Sequence, residues 1–169
     1  MKKIFALLFF MIISAAAFSQ YDTTPPYLKT KLLPNFNLLP LDSSTVFNQS
    51  VLKEGQQTIV MLFNPTCEHC QHQLQLMLTM PEIIQSTNLV LSSTETLEKL
   101  KTFYDKYHLE KYPLVHIGKD YKYFLGGFYQ PKTIPVLAFY NAQKQLLFFN
   151  QGSLKKDQLL DALKSTPVQ

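Results

Sequence analysis

Cys67 and Cys70 are the only two cysteines of the chain, and they stand three positions apart. Two thiols at this spacing can form a disulfide with each other and exchange it with the thiols of another molecule. Residues 58–63, just before them, are apolar and largely β-branched, which predicts a short buried strand. Residues 74–78, just after them, carry apolar side chains at helical spacing. We therefore expect the first cysteine at the N-terminus of a helix that follows a strand.

The N-terminus of a helix would make Cys67 a usable nucleophile. The first N–H groups of a helix are unpaired and its dipole is positive there, so an anion is stabilised. A cysteine in that place has a lowered pKa, and its thiolate is the species that attacks a disulfide. Cys70, one turn further along, is the predicted resolving thiol that expels the substrate from the mixed disulfide. No cofactor is required, since the redox-active pair Cys67–Cys70 carries both electrons.

Glu68 and His69 lie between the cysteines and are the residues expected to tune the thiolate. A protonated His69 would stabilise the negative charge, whereas the carboxylate of Glu68 would raise the pKa of a nearby thiol. At an exposed site each effect is on the order of 1 kcal/mol, which is less than one pK unit. Because the two effects oppose each other, this dipeptide does not decide whether the protein reduces, oxidises or isomerises its substrates.

A structural disulfide and a metal site are the other uses of such a cysteine pair. A disulfide across so short a loop would remove little entropy from the unfolded chain. Zinc usually takes four ligands from two pairs, and only His69 and His72 lie near the cysteines in the sequence. The spacing therefore favours redox chemistry, and no metal is expected.

The chain begins with a segment typical of an export signal. Two lysines precede the uncharged run 4–17, which is shorter than the roughly 20 apolar residues of a membrane-spanning helix. Residues 17–19 read Ala-Phe-Ser, a small-x-small site, so we expect a cleaved signal peptide over 1–19 and a mature chain that starts at Gln20. An uncleaved leader that anchors the protein in a membrane is the alternative. Export would place the cysteines in the oxidising periplasm, where disulfides persist.

The part of the chain after the leader has the size and charge of a single ordinary domain. Roughly 150 residues remain, enough for one sizeable core. The formal net charge of +4 includes the two leader lysines, and no block of like charges is present. Nucleic acid is therefore not an expected partner, and we expect a monomer.

Predicted strands and helices alternate along the chain. An extended lead-in covers 20–33, and a β-hairpin over 35–47 precedes the core. A capping box at 92–95 is expected to start the second helix, and the glycine pair 126–127 to end the third. The other predicted strands lie near 88–91, 112–117, 134–140 and 145–149, and the helices near 97–107, 121–125 and 153–163. This order predicts an α/β protein with a central mixed sheet that has helices on both faces.

These motifs resemble the thioredoxin fold, and within it the exported TlpA/ResA-like thiol–disulfide oxidoreductases. The resemblance rests on residues 63–70 around the cysteines, on Thr-Ile-Pro-Val at 133–136 and on Gln-Gly-Ser at 151–153. It implies a thioredoxin-like domain over 34–166, in which the early β-hairpin distinguishes exported members from minimal thioredoxins. It also implies exchange with protein thiols or disulfides, with recycling by a membrane thiol reductase or a quinone-linked oxidase.

The resemblance further implies a substrate groove at Ile134 and Pro135. In the family the corresponding proline is cis and faces the C-x-x-C. The residue before it can then offer its backbone N–H and C=O to an incoming extended peptide. A trans proline in an edge strand is the alternative. The Cys-x-His-Cys pattern is similar to that of oxidising DsbA-type proteins.

Three residues depart from the family's pattern. Met61 stands where thioredoxins carry a buried Asp, Gln73 where ResA-like proteins carry a Glu, and Thr66 where a Trp is common. Since Met and Gln cannot take a proton from the second thiol, we expect weak general disulfide reduction and narrow substrate recognition. Peroxiredoxins place a similar Pro-Thr motif before a lone attacking cysteine, not before a C-x-x-C. A non-catalytic thioredoxin-like binding or folding-helper module with an incidental disulfide is the alternative function.

Overall fold

A computed structural model describes residues 23–168, so the predicted signal peptide over 1–19 and its cleavage site lie outside the described residues. The strands are β1 (Gln57–Leu62), β2 (Thr87–Ser93), β3 (Val115–Lys119), β4 (Val136–Tyr140) and β5 (Leu146–Gln151). The α-helices are α1 (Pro26–Thr30), α2 (Glu68–Leu78), α3 (Pro81–Ile84), α4 (Leu97–Lys106), α5 (Phe124–Tyr129) and α6 (Lys156–Lys164). Two single 3₁₀ turns cover Gln49–Val51 and Leu109–Lys111.

The five strands form one mixed sheet in the order β3-β2-β1-β4-β5. The first three strands run parallel to one another, whereas β4 is antiparallel to both β1 and β5. β1 lies at the centre, and its last residue, Leu62, pairs with Val136 at the start of β4. The predicted mixed sheet with flanking helices is confirmed.

The central strand is apolar on both faces because a separate core cluster covers each face. Ile59 and Met61 belong to the cluster that includes buried residues of α2, α4 and α6. Val60 and Leu62, which alternate with them, belong to the cluster that includes buried residues of α5 and of the N-terminal segment. The sheet therefore holds α2, the helix with the cysteines, on one face and α5 on the other.

The predicted N-terminal elements differ from the observed ones. The extended lead-in is wrong over Pro26–Thr30, which form α1. Pro26 is the first residue of that helix, where its missing N–H would have had no partner in any case. The predicted hairpin is reduced to one antiparallel bridge, in which Leu38 and Phe47 exchange two hydrogen bonds of 2.9 Å. Leu39 then pairs with Lys119 at the end of β3, so the extension attaches to the edge of the sheet.

Two predicted helix boundaries are also wrong. The capping box fails because residues 92 and 93 complete β2, and the N-cap of α4 is Thr96, whose hydroxyl accepts the Lys99 N–H at 3.3 Å. The glycine pair 126–127 lies inside α5, which ends at Tyr129 and has Gln130 as its C-cap in the left-handed conformation. Within residues 23–168, no helix is both long enough and apolar enough to span a bilayer.

Candidate active site

Cys67 is the N-cap of α2, as predicted. Its N–H donates to the carbonyl of Asn64 at 3.0 Å, and its own carbonyl accepts the Gln71 N–H at 3.0 Å. The side-chain oxygen of Asn64 accepts both the N–H and the hydroxyl of Thr66, at 2.9 and 2.8 Å. This hydrogen-bonded turn connects the end of β1 directly to the first turn of the helix, and it leaves Cys67 half-buried with a free thiol.

Cys70 lies one turn further along α2 and is 0% exposed. Its thiol is free and belongs to the core cluster on the α2 face of the sheet. Burial raises the pKa of Cys70 to about 12, and the neighbouring Cys67 thiol adds to this, while a hydrogen bond with the backbone of Asn64 opposes it. The two thiols therefore differ in kind, because one is partly accessible at a helix N-terminus and the other is sheltered and holds its proton strongly.

The raised pKa of Cys70 predicts that the reduced protein loses stability in alkaline solution. The unfolded chain releases this proton near the ordinary thiol pKa of 9.0, whereas the folded protein retains it until about 12. Between these values the unfolded state binds fewer protons, so the free energy of unfolding falls as pH rises; below pH 9 the contribution is fully present.

Urea unfolding of the reduced protein at about pH 8 and pH 10.5 checks this prediction. Cys70→Ser is the control, since it has no thiol at that position and should lose less stability over the interval. Burial also raises the pKa of Tyr129 and Tyr140, but these groups contribute equally to both proteins. Equal losses in the two proteins would contradict the assignment of the effect to Cys70.

Glu68 and His69 occupy the first two positions of α2, and both side chains are exposed. The carbonyl of His69 accepts the hydroxyl of Ser153 at 3.4 Å, which connects the start of α2 to the segment before α6. Their exposure means that solvent screens any charge effect on the neighbouring thiol. Their tuning role stays a prediction.

The Ile134–Pro135 peptide bond is cis, as predicted. β4 starts at the next residue, Val136, which pairs with the last residue of β1. The proline turn therefore lies at the same edge of the sheet as the turn that holds Cys67. Ile134 packs against the same core cluster as Cys67, and the carbonyl of Pro135 accepts the Gly152 N–H at 2.7 Å. The substrate-binding role of Ile134 and Pro135 stays a prediction.

Two buried residues, Met61 and Gln73, lie where thioredoxins and ResA-like proteins, respectively, carry a carboxylate. Met61 is 0% exposed and belongs to the same core cluster as Cys70. Gln73 is 2% exposed, and its side-chain oxygen accepts the Leu154 N–H at 2.6 Å. Its amide nitrogen has no hydrogen-bond partner within the part of the chain that the structure describes. The hydrogen bond of Gln73 thus connects α2 to the segment before α6. No local sequence signal indicates this role.

Replacing Gln73 by Ala is expected to lower the free energy of unfolding by about 1–3 kcal/mol, because the buried Leu154 N–H would lose its acceptor. Gln75 lies on the exposed face of the same helix, so Gln75→Ala is the matched control and should change stability by less than about 0.5 kcal/mol. Denaturant unfolding of both variants measures the difference. Variants of equal stability would show that the Gln73–Leu154 hydrogen bond contributes little.

Gln71 is a second residue that the sequence analysis missed. Its side-chain nitrogen donates to the carbonyl of Pro65 at 2.7 Å. Its side-chain oxygen accepts hydrogen bonds from the ammonium of Lys106 at 2.9 Å and from the hydroxyl of Tyr107 at 3.2 Å. Gln71 thereby connects the turn before the cysteines to the end of α4. A glutamine between apolar helical positions carries no signal of this contact in the sequence.

Two clefts flank the cysteine turn. The larger, of about 650 Å³, lies between that turn and α4, and its lining includes Pro65, Thr66, Lys99 and Lys106. The smaller, of about 170 Å³, lies between the ends of β1 and β2 and the loop before β4. Another cleft, of about 560 Å³, lies beside β3 and the N-terminal extension. Neither cysteine is among the lining residues of these three clefts. Among residues 23–168, no three His, Cys, Asp or Glu side chains are grouped so that they could hold a metal ion.

Solved structures similar to this chain include several bacterial proteins. A secreted disulfide oxidoreductase of Mycobacterium tuberculosis, homologous to DsbE of E. coli, has a TM-score of 0.62 and 18% identity, over 77% of this chain and 95% of that one. StoA of Bacillus subtilis has a TM-score of 0.57 and 18% identity, over 76% and 96%. The exposed lipoprotein thioredoxin Etrx1 of Streptococcus pneumoniae has a TM-score of 0.59 and 19% identity, over 78% and 98%.

No protein-family model matches the sequence, and comparison with curated proteins gave no match. The similarity to the solved structures extends over nearly the whole of each of those chains. This similarity agrees with the observed fold, in which the central strand of the sheet is followed by the cysteine turn and then by a helix. The protein has the thioredoxin fold.

Proposed function

We propose that this protein is an exported thiol–disulfide oxidoreductase of the TlpA/ResA-like type, which exchanges disulfides with protein thiols through Cys67 and Cys70. The observation that carries the proposal is the position of Cys67, a half-buried free thiol at the N-cap of α2 and one turn before a fully buried partner thiol. Such a helix N-terminus stabilises a thiolate. The similarity to a secreted disulfide oxidoreductase of the same fold supports the same chemistry.

The exchange would proceed in two steps that transfer two electrons. The thiolate of Cys67 attacks one sulfur of a substrate disulfide; that S–S bond breaks, a mixed disulfide forms, and one substrate thiolate leaves. Cys70 then loses its proton and attacks the sulfur of Cys67, which releases the second substrate thiolate and forms the Cys67–Cys70 disulfide. The substrate is reduced and the protein is oxidised. The same steps in reverse oxidise a substrate dithiol.

Other residues take supporting roles in this proposal. Ile134 and Pro135 bind the peptide around the substrate cysteine, and Glu68 and His69 tune the charge of the Cys67 thiolate. The disulfide pair needs no bound cofactor. A membrane thiol reductase or oxidase returns the pair to its working redox state.

Electron transfer from a peptide dithiol to the oxidised protein tests the proposed activity. The oxidised protein is mixed with a reduced peptide that has two cysteines, and samples are quenched with acid and weighed by mass spectrometry. The protein is expected to gain two hydrogens as the peptide loses two. The double variant Cys67→Ser/Cys70→Ser is the control and should leave the peptide reduced. If the wild-type protein oxidised the peptide no faster than this control, the alternative of a binding module with an incidental disulfide would be supported.

Export is proposed on the leader sequence, with residues 1–19 removed as a signal peptide and the thioredoxin-like domain over 34–166 released into the periplasm. The secreted and exposed proteins of the same fold are consistent with this location. Intact-mass analysis of the protein from its own cells should give a chain that starts at or near Gln20. A full-length chain in the membrane fraction would favour the uncleaved anchor instead.

A further inference from the structure

The small cleft of about 170 Å³ lies at the carboxyl ends of the parallel strands, beside the cysteine turn. In open α/β sheets this is the edge at which ligands bind. It is lined by the ends of β1 and β2, the segment after β3, α5 and the loop before β4, and its wall includes Asn64, Ser92, Asp120 and Ile134. We refer to it as the β1/β2 pocket.

The β1/β2 pocket shares two residues with the proposed site of exchange. Asn64 contributes to its wall and also accepts the N–H of Cys67 at 3.0 Å. Ile134 also contributes to its wall and is the residue before the cis proline. A peptide whose cysteine is bonded to Cys67, and whose backbone lies along Ile134, therefore passes the pocket with the residues that flank that cysteine.

Ser92 gives the pocket an unused hydrogen-bonding group. The residue is 1% exposed, and its hydroxyl has no hydrogen-bond partner among residues 23–168. A buried hydroxyl without a partner is unfavourable, and most such groups in folded proteins are paired. A polar group that enters the pocket and pairs with Ser92 would regain this free energy, whereas an apolar group would leave the hydroxyl unpaired.

The charge of the pocket indicates which polar group fits. Asp120 is the only ionisable residue in its wall. Its two carboxylate oxygens accept the N–H groups of Phe124, Leu125 and Gly126, at 2.9, 2.8 and 3.4 Å. The negative charge disfavours an acidic side chain. A cationic side chain would have to leave water for a wall that is partly apolar and contains a carboxylate already engaged by three donors.

We infer that the β1/β2 pocket binds the small, uncharged polar side chain of a residue beside the substrate cysteine, with Ser92 as its hydrogen-bonding partner. Thr, Ser and Asn are side chains of this class, and the cleft of about 170 Å³ has room for them. The inference rests on the proposed function, because exchange at Cys67 is what brings the peptide to the pocket. It assigns a substrate class, since sites that pair with a substrate hydroxyl discriminate against the analogue that lacks it.

A matched pair of peptides tests the inference. Each has a single cysteine blocked as a mixed disulfide with thionitrobenzoate, and a neighbouring residue that is either Thr or Val, which differ by a hydroxyl in place of a methyl group. The test residue is placed on the amino side and, in a second pair, on the carboxyl side of the cysteine. The Cys70→Ser protein attacks the peptide sulfur and retains the peptide, while the coloured thionitrobenzoate, the better leaving group, gives the second-order rate constant.

The Thr peptide of at least one pair is expected to react about tenfold faster than its Val partner, as a hydrogen bond of this kind predicts. Adding Ser92→Ala should reduce this ratio to below about twofold. This change should not unfold the protein, since the hydroxyl that it removes has no partner in the described residues. Thr87→Val is the control: Thr87 is a buried hydroxyl residue at the opposite end of β2, and it donates to the Glu82 carbonyl at 3.0 Å. The Thr/Val ratio should be unchanged in this variant.

The outcomes separate this inference from the proposed function. A ratio near one in both peptide pairs, or a ratio that Ser92→Ala leaves unchanged, overturns the inference while the release of thionitrobenzoate still supports exchange at Cys67. A ratio that Thr87→Val reduces as much as Ser92→Ala also overturns it, because the effect would then not belong to the pocket. No release from any peptide overturns the proposed function and the inference together.

Discussion

The Cys70→Ser variant is expected to accumulate covalent complexes with its substrates, whereas Cys67→Ser should form none. Cys67 lies at the helix N-terminus with a partly accessible thiol, and Cys70 is fully buried with its pKa raised to about 12 by that burial. An intramolecular thiol acts at an effective concentration far above that of any free thiol. Its loss should therefore lengthen the lifetime of the mixed disulfide by about a hundredfold or more.

Non-reducing gels and mass spectrometry of acid-quenched samples measure these complexes. The double serine variant serves as the control for association that does not involve sulfur. Limited alkylation of the reduced wild-type protein gives an independent check, since the reagent should label Cys67 first. Labelling of Cys70 before Cys67, or covalent complexes that persist in Cys67→Ser, would reverse the assignment of the two roles.

Placing Asp at Met61 is expected to raise general disulfide-reductase activity and to destabilise the protein. Met61 is fully buried in the same core cluster as Cys70, so a carboxylate there could take the proton that Cys70 must lose. The unmodified protein has Met at this position, and its Gln73 accepts a hydrogen bond from the Leu154 N–H. It should therefore reduce insulin more slowly than an equal concentration of thioredoxin. The buried carboxylate should lower the free energy of unfolding by about 3 kcal/mol or more.

Met61→Asn is the matched control, because it buries a similar polar side chain that cannot titrate. Insulin reduction by both variants measures the effect of a group that can take a proton. Urea unfolding of both variants measures the stability lost by burying a polar side chain. The Asp variant should gain activity and the Asn variant should not, although both should lose stability. An unmodified protein that already reduces insulin as fast as thioredoxin, or an Asn variant that gains as much as the Asp variant, would contradict this account of proton transfer.

The unit that carries the cysteines could be predicted from the sequence because its signals are local. An apolar β-branched run ends at Asn64-Pro65, and apolar residues at helical spacing follow Cys70. The observed β1 and α2 occupy these places, with Cys67 at the boundary between them. The alternation of strands and helices predicted a sheet with helices on both faces, and the two adjacent strands near the C-terminus predicted its antiparallel edge.

The elements that were predicted wrongly have competing local signals. Two prolines at 25 and 26 favour an extended chain, but the second is also well suited to the first position of α1. Ser92 and Glu95 have the spacing of a capping box, yet pairing with β1 and β3 keeps Ser92 in β2, and Thr96 caps α4 instead. Here the pairing of distant strands outweighs a short-range preference.

The polar side-chain contacts around the candidate site form between segments that are distant in the sequence. Gln73 meets Leu154, and Gln71 meets Lys106, across separations that no spacing rule describes. Ser92 is an ordinary strand residue in the sequence, and only the assembled sheet shows that its hydroxyl is buried and unpaired in the described part of the chain. Local periodicity predicts the elements, whereas the polar contacts between them emerge from the fold.

The reduction potential of the Cys67–Cys70 pair tests the central claim most directly. The protein is equilibrated in a series of dithiol and glutathione redox buffers, quenched with acid and alkylated, and its free thiols are counted by mass. A pair that works in disulfide exchange should be half reduced at a potential between about −270 and −120 mV, the range of known thiol oxidoreductases. A pair that stays oxidised in buffers below about −300 mV would be a structural disulfide and would contradict the proposed function.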